Sequence, residues 1–252
     1  MKCALLSLYC LALICGLVST TQAVIGQSVD LFKKLGTQQL VVVKTTNFET
    51  NQGQLFYYEL DRATNRWQQK LPTFAVTIGR KGLAWGAGLH QPTSTGGPQK
   101  REGDGKSPAG IFRIGTAFGS RPANAVGGLK MPYIHADKHT FCVDDPASAQ
   151  YNQLVNTDTL KATWNSAEQM LIPDYDYGFV VEYNYPKANP NDGSCIFIHL
   201  WRNSQTGTAG CTAMSKTNLL YLFRRLDSGK KPLLVQMPAS EYEQQKKKYG
   251  LP

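Results

Sequence analysis

Short runs of apolar residues, alternating with polar ones and cut by Gly, Pro, Asn or Asp, dominate this chain. QLVVVKTT (39–46), QLFYYEL (54–60), TFAVTIG (73–79), GIFRIG (110–115), GFVVEYN (178–184), SCIFIHLW (194–201) and PLLVQM (232–237) each read as a strand. Helical spacing is clear in one place. In MSKTNLLYLFRRLDSG, Leu219, Leu222, Phe223 and Leu226 share a face, Ser215 is a plausible N-cap and Gly229 stands past the end. SAEQM (166–170) and VDLFKKL (29–35) read as shorter helices, and EYEQQKKKYG as a solvated helix end or tail. The prediction is a mostly β fold of the β-rich α+β class, with one helix directly after Cys211. The intervening T-A-M is expected to form a turn of irregular backbone. No internal repeat, low-complexity block or Pro/Ser-rich linker interrupts residues 24–252, which therefore read as a single domain.

The first residues change the picture of where this domain works. Lys2, a short uncharged apolar run and the triplet T-Q-A ending at Ala23 form the pattern of a secretory signal peptide over residues 1–23. The apolar run is short for a membrane span, so the mature chain is expected to carry no transmembrane segment. Export to the periplasm or cell envelope, or full secretion, follows from that reading. It leaves three of the six cysteines, Cys142, Cys195 and Cys211, in an oxidising compartment. The expectation is a Cys142–Cys195 disulfide and an odd thiol at Cys211. The formal charge of +9 favours anionic partners such as wall polymers. Export and the lack of a recognisable binding motif argue against nucleic acid.

Several chemistries fail on spacing. GDGKS (103–107) lacks the upstream glycine of a phosphate-binding loop, since Lys100 stands there. Asp144-Asp145 and the Asp174/Asp176 pair have no calcium-loop pattern around them. The four histidines show no zinc spacing, so no metal is expected, and the missing GxSxG weakens a serine-nucleophile reading; no cofactor is expected either. What remains is CIFIHLWRNSQTGTAGCTAM (195–214), with His199 closing an apolar strand and Cys211 twelve residues later behind a Gly-containing loop. A cysteine nucleophile needs a base within reach and something to fix that base's tautomer. Gly210 allows a close backbone approach, and N–H groups around Cys211 suit an oxyanion. The residues alone leave two readings: a reactive pair, or a buried strand and a turn with an inert thiol.

The string IFIHLWRNSQTGTAGCTAM resembles the signature of the L,D-transpeptidase (YkuD-type) family, a His, a spacer and Ser/Thr-x-Gly-Cys. GKSPAGIF (105–112) resembles the family's upstream Thr-Pro-x-Gly-x-Phe element. The likeness spans about residues 72–237. Ala209 stands where the family usually has a second histidine, the spacer is short, and C-T-A-M replaces the usual segment after the cysteine, so this looks like a divergent branch. The resemblance implies mixed β-sheets in a sandwich, with a helix following the cysteine. It implies Cys211 as nucleophile, His199 as base, the Leu200 carbonyl as its orienting group, and Gly210 with the Cys211 N–H at the oxyanion. It further implies peptidoglycan stem peptides as partners. The acyl group would pass to an amine of a second stem peptide, to an amine-bearing wall protein, or to water in a carboxypeptidase or wall-peptide hydrolase. A non-enzymatic wall-binding β domain is the reading from another class. Trp201, Arg202 and Thr208 are the candidate substrate contacts, and the Gly-rich span from Gly79 to Gly110 is long enough to cover the site.

Overall fold

In chain order, the described residues of the computed structural model, 31–90 and 96–252, begin with helix α1 (Leu31–Leu35). Five strands follow: β1 (Gln39–Thr45), β2 (Gln52–Asp61), β3 (Arg66–Gln69), β4 (Phe74–Thr77) and β5 (Leu83–Trp85). The middle of the chain supplies β6 (Ser107–Gly119), β7 (Tyr133–His135), β8 (Thr140–Val143), β9 (Leu154–Asn156) and β10 (Ala167–Gln169). Then come β11 (Gly178–Glu182), β12 (Phe197–Leu200), β13 (Thr212–Met214), helix α2 (Lys216–Arg225), β14 (Leu233–Pro238) and helix α3 (Ala239–Tyr249). The leader expected over residues 1–23 lies outside the described residues.

The fold is mostly β with mixed sheets, as the periodicity predicts. Pairing runs β1-β14-β6-β11-β12-β13-β4-β2, and β2 pairs back with β1, so the two faces of the sandwich are continuous. The run Leu40–Val43 is fully buried, and β14 is buried along its whole length. Strands covered on both faces lose the apolar/polar alternation and read as continuous apolar runs. These two pair in parallel, Val42 opposite Val235. Parallel pairing needs a long crossover, and here nearly the whole chain lies between the partners. On the apolar face of α2, Leu219, Leu222 and Phe223 are buried, and the Asn218 N–H donates to Ser215 Oγ at the N-cap.

Several expectations need correction. SAEQM is the strand β10, with Glu168 opposite Cys142 of β8, rather than a short helix. Five residues cannot hold an isolated helix, and pairing with β8 decides the conformation. T-A-M after Cys211 is the strand β13, parallel to β12, rather than a turn of irregular backbone, while α2 starts at Lys216 behind the Ser215 cap, as expected. A helix terminus acts only within its first turn, so the α2 dipole contributes little at Cys211. Gly229 lies in a separate 3-10 turn, Ser228–Lys230, while Leu226 caps α2. The segment EYEQQKKKYG belongs to α3 and buries Tyr242, Gln245 and Tyr249, so it is a docked helix rather than a tail.

A small antiparallel sheet, β10-β8-β9, stands apart from the main one. It is tied to the chain just before β12 by a disulfide between Cys142 and Cys195. Cys142, Met170, Tyr175, Cys195, Phe197 and Cys211 form a second apolar cluster beneath it. This insert packs over Cys211, and Arg80, Lys100, Glu102 and Gly103 of the Gly79–Gly110 span line the same cleft.

Candidate active site

Alternation along β12 turns Ile198 into the core and sends Phe197 and His199 to the opposite face. His199 is flanked on neighbouring strands by Gly178 and Ala213, two small residues that leave space beside the ring. Its Nδ1 lies 2.8 Å from the Leu200 carbonyl. A carbonyl only accepts, so this bond puts the proton on Nδ1 and leaves the Nε2 lone pair free. Burial pushes the His199 pKa below the ordinary imidazole value. The backbone carbonyls of Leu200 and Asp174 and the Asp174 charge pull it part of the way back.

Cys211 directly precedes β13, next to Phe197 on β12. It therefore lies one strand spacing across and two residues along from His199, about 8 Å between Cα atoms. Its Sγ accepts from the Phe197 N–H at 3.3 Å and faces the Cys195 carbonyl at 3.5 Å. Cys195 adopts φ 54°, a left-handed conformation, and its N–H donates to Asn152 Oδ1 at 2.9 Å. That conformation and the disulfide to Cys142 turn the Cys195 carbonyl toward the thiol. Cys211 is the one free cysteine among the described residues. Burial pushes its pKa up and the nearby Glu168 adds to that, while the Phe197 N–H, Lys100 and Tyr175 favour the thiolate.

The two sequence motifs meet at the Cys211 backbone. Ser107 Oγ of the SPAGIF element donates to the Cys211 carbonyl at 2.9 Å and accepts from the Gly79 N–H at 2.8 Å. Thr208 Oγ1 donates to the same carbonyl at 2.6 Å and accepts from the Gly210 N–H at 3.1 Å. Thr208 therefore fixes the loop, and with its N–H engaged Gly210 contributes space rather than a donor. A Cβ on Gly210 would stand 3.1 Å from the Lys106 carbonyl and 3.3 Å from Ile196 Cδ1.

Cys211 and His199 share a cleft of about 540 Å³ with Tyr175, Glu168, Asp144 and Lys100. Trp201 is half-buried on its wall, and exposed Ala209 lies on its rim. Arg202 is 74 % exposed and its Nε donates to Asp174 at 2.9 Å, so it is engaged within the chain. Sequence reasoning missed Tyr175, Glu168 and Asp144. Tyr175 sits in a 3-10 turn, Pro173–Tyr175, with its ring edge-on to His199 at 5.0 Å between centroids. Its hydroxyl donates to Glu168 Oε1 at 2.5 Å. No linear pattern links these residues to His199 or Cys211, because the insert that carries Glu168 reaches the site only through strand pairing and the disulfide.

The sequence model of one family, described as the L,D-transpeptidase catalytic domain, matches residues 38–235. The match begins ahead of β1 rather than near residue 72, in keeping with the part β1 and β2 play in closing the sandwich. No curated protein and no solved structure matches the chain.

Proposed function

The chain belongs to the L,D-transpeptidase catalytic-domain family, and from that premise we propose that it is an exported cysteine acyltransferase acting on peptidoglycan stem peptides. Cys211 is the nucleophile. His199 Nε2 takes the thiol proton, and the sulfur attacks the carbonyl of the third residue, a diamino acid, of a tetrapeptide stem. The resulting oxyanion is received at the Cys211 N–H. The intermediate collapses to a thioester as the bond to the terminal D-Ala breaks, and His199 returns the proton to the leaving amine. An acceptor amine of a second stem or of a wall protein then attacks the thioester. It gives its proton to His199, and Cys211 leaves as the thiol. Covalent catalysis splits one difficult acyl transfer into two easier ones.

The observation that carries this reading is the His199 Nδ1 bond to the Leu200 carbonyl, which leaves the lone pair of Nε2 available in the cleft that holds the free Cys211. A Cys142–Cys195 disulfide suits an oxidising compartment, which favours export. Among the described residues no helix is long and apolar enough to cross a membrane.

Intact mass after incubation with a tetrapeptide stem or a carbapenem tests the assignment. The wild type is expected to gain one covalent adduct and Cys211→Ala none; equal masses for the two proteins reject the reading. Analysis of the muropeptide products then assigns the acceptor, since cross-linked dimers indicate an amine and tripeptides alone indicate water.

A further inference from the structure

A second cavity opens beside the cleft of Cys211. It measures about 860 Å³, within the size range of ligand sites. Asp192 lines this cavity, whereas Ser194 and Cys195 line the cleft. Two residues of chain span at most about 7 Å, so the two rims are close. Lys100, with its side chain 4 % exposed and bonded to Asp104 at 2.7 Å, stands in both walls. The Asn152 side chain joins them as well. Its Nδ2 donates to the Tyr183 and Asn184 carbonyls at 2.9 and 3.1 Å, and its Oδ1 accepts from the Cys195 N–H at 2.9 Å.

Tyr185 stands at this cavity, 62 % exposed, the most exposed of the large apolar side chains among the described residues. The backbone beside it is fixed. Asn184 adopts φ 52°, its Nδ2 donates to the Asn189 and Gly193 carbonyls at 2.9 Å each, and its Oδ1 accepts from the Asn189 N–H at 2.8 Å. The ring is therefore carried on a loop that is already ordered, which lowers the cost of binding. Gln99 supplies an amide, and Arg113 and Glu182 stand opposite each other on β6 and β11. With Lys100 neutralised by Asp104, the basic Arg113 and Lys187 are matched by the acidic Glu182 and Asp192, so the lining charges balance.

We propose that this cavity is a subsite for the glycan strand that carries the stem peptide, with Tyr185 as the platform for a sugar ring. A pyranose combines an apolar face of C–H groups with a rim of hydroxyls that both donate and accept. An exposed aromatic face beside an amide, a guanidinium and carboxylates complements both features. A strongly charged ligand would call for a lining of one sign, and this lining is balanced. The spacing suits a substrate held at both places. Three residues of extended peptide, from the sugar to the attacked carbonyl, span about 10 Å, enough to cross from one rim into the other site. The choice of a wall glycan rests on the wall-peptide reading of Cys211.

The probe is the tetramer of β-1,4-linked N-acetylglucosamine, a sugar chain with the chemistry of a wall glycan, and calorimetry reads its binding to wild type, Tyr185→Ala, Tyr185→Phe and Tyr221→Ala. Tyr221 is 45 % exposed on α2, outside the cavity, so its variant controls for loss of any exposed aromatic. The wild type and Tyr221→Ala are expected to bind alike, and Tyr185→Ala about tenfold more weakly, the worth of one aromatic contact. Tyr185→Phe, which keeps the ring, should retain most of what Tyr185→Ala loses. No binding by the wild type, equal affinity in Tyr185→Ala, equal losses in Tyr185→Ala and Tyr185→Phe, or a like loss in Tyr221→Ala overturns the proposal. So does competition by a sugar-free tetrapeptide stem, which would make the cavity a peptide site. The subsite and acyl transfer fail separately. Tetramer binding without a Cys211 adduct from a tetrapeptide or carbapenem supports the subsite and rejects acyl transfer, and an adduct without tetramer binding does the reverse.

Discussion

At the scale of single residues, the fold has set protonation states against ordinary values. His90 is an instructive case outside the cleft. Its ring packs against Trp85 and Phe112, and its Nδ1 accepts from the Ile111 N–H at 3.2 Å. Gly110 of the SPAGIF element makes this possible, since a Cβ there would stand 2.1 Å from His90 Cε1 and the backbone has φ 144°. Burial, with a smaller contribution from Lys248, pushes the His90 pKa down to about 4. The unfolded chain then takes up a proton on this ring below about pH 6.5 that the folded chain refuses until about pH 4, so stability falls as pH falls through that window. Urea unfolding is expected to show a loss of about 2 kcal/mol between pH 7 and pH 5. His90→Asn, which keeps an acceptor, should remove at least half of it. An undiminished slope in that variant would assign the effect elsewhere. His199 is shifted the same way by its own burial, and its ring therefore stays neutral below the usual imidazole range.

Among the elements, Cys211, the proposed nucleophile, is positioned by backbone contacts more than by its own side chain. The end of β4, the start of β6 and the loop before β13 converge where Ser107 and Thr208 both donate to the Cys211 carbonyl. Backbone bonds between Arg80 and Thr208 and between Thr208 and Ile78 tie that loop down. Ser107→Ala would remove one donor and also leave the buried Gly79 N–H without its acceptor. The expected cost is about 1–3 kcal/mol of stability. Because a small displacement of a reacting group is expensive, acylation of Cys211 should slow about tenfold or more. Denaturant midpoints and adduct formation followed by mass measure the two effects separately. A variant that lost stability but acylated at the wild-type rate would show that Ser107 serves packing alone.

At the scale of the whole molecule, the disulfide joins the small sheet to the strand that carries His199. Cys142 and Cys195 are separated by 53 positions in sequence. Closing a loop of that length restricts the unfolded chain by about 4 kcal/mol in the chain-entropy view. Reduction, or a Cys142→Ala/Cys195→Ala double variant, is expected to lower the thermal midpoint by many degrees. It should also free β8 and β10, and with them Glu168, from the cleft. A reduced protein with unchanged midpoint and unchanged Cys211 reactivity would exclude this role. Seven strands, the amphipathic helix with its Ser215 cap, and the two motifs around Ser107 and Cys211 were legible in the sequence, because each rests on local periodicity or on contiguous residues. The strands β3, β5, β7 to β10 and β13 were not. They are three or four residues long and owe their conformation to a partner strand, so SAEQM looked helical and T-A-M irregular. The sequence by itself determined the β class, the His199 and Cys211 candidates and the family resemblance. Only the tertiary structure decided that Ser107 holds the Cys211 carbonyl, that a disulfide-tied sheet covers the thiol and that Glu168 and Tyr175 stand beside it. The reason is physical: these are contacts between residues many tens of positions apart, fixed by strand register and burial, and no local pattern encodes which distant partner a short strand will find.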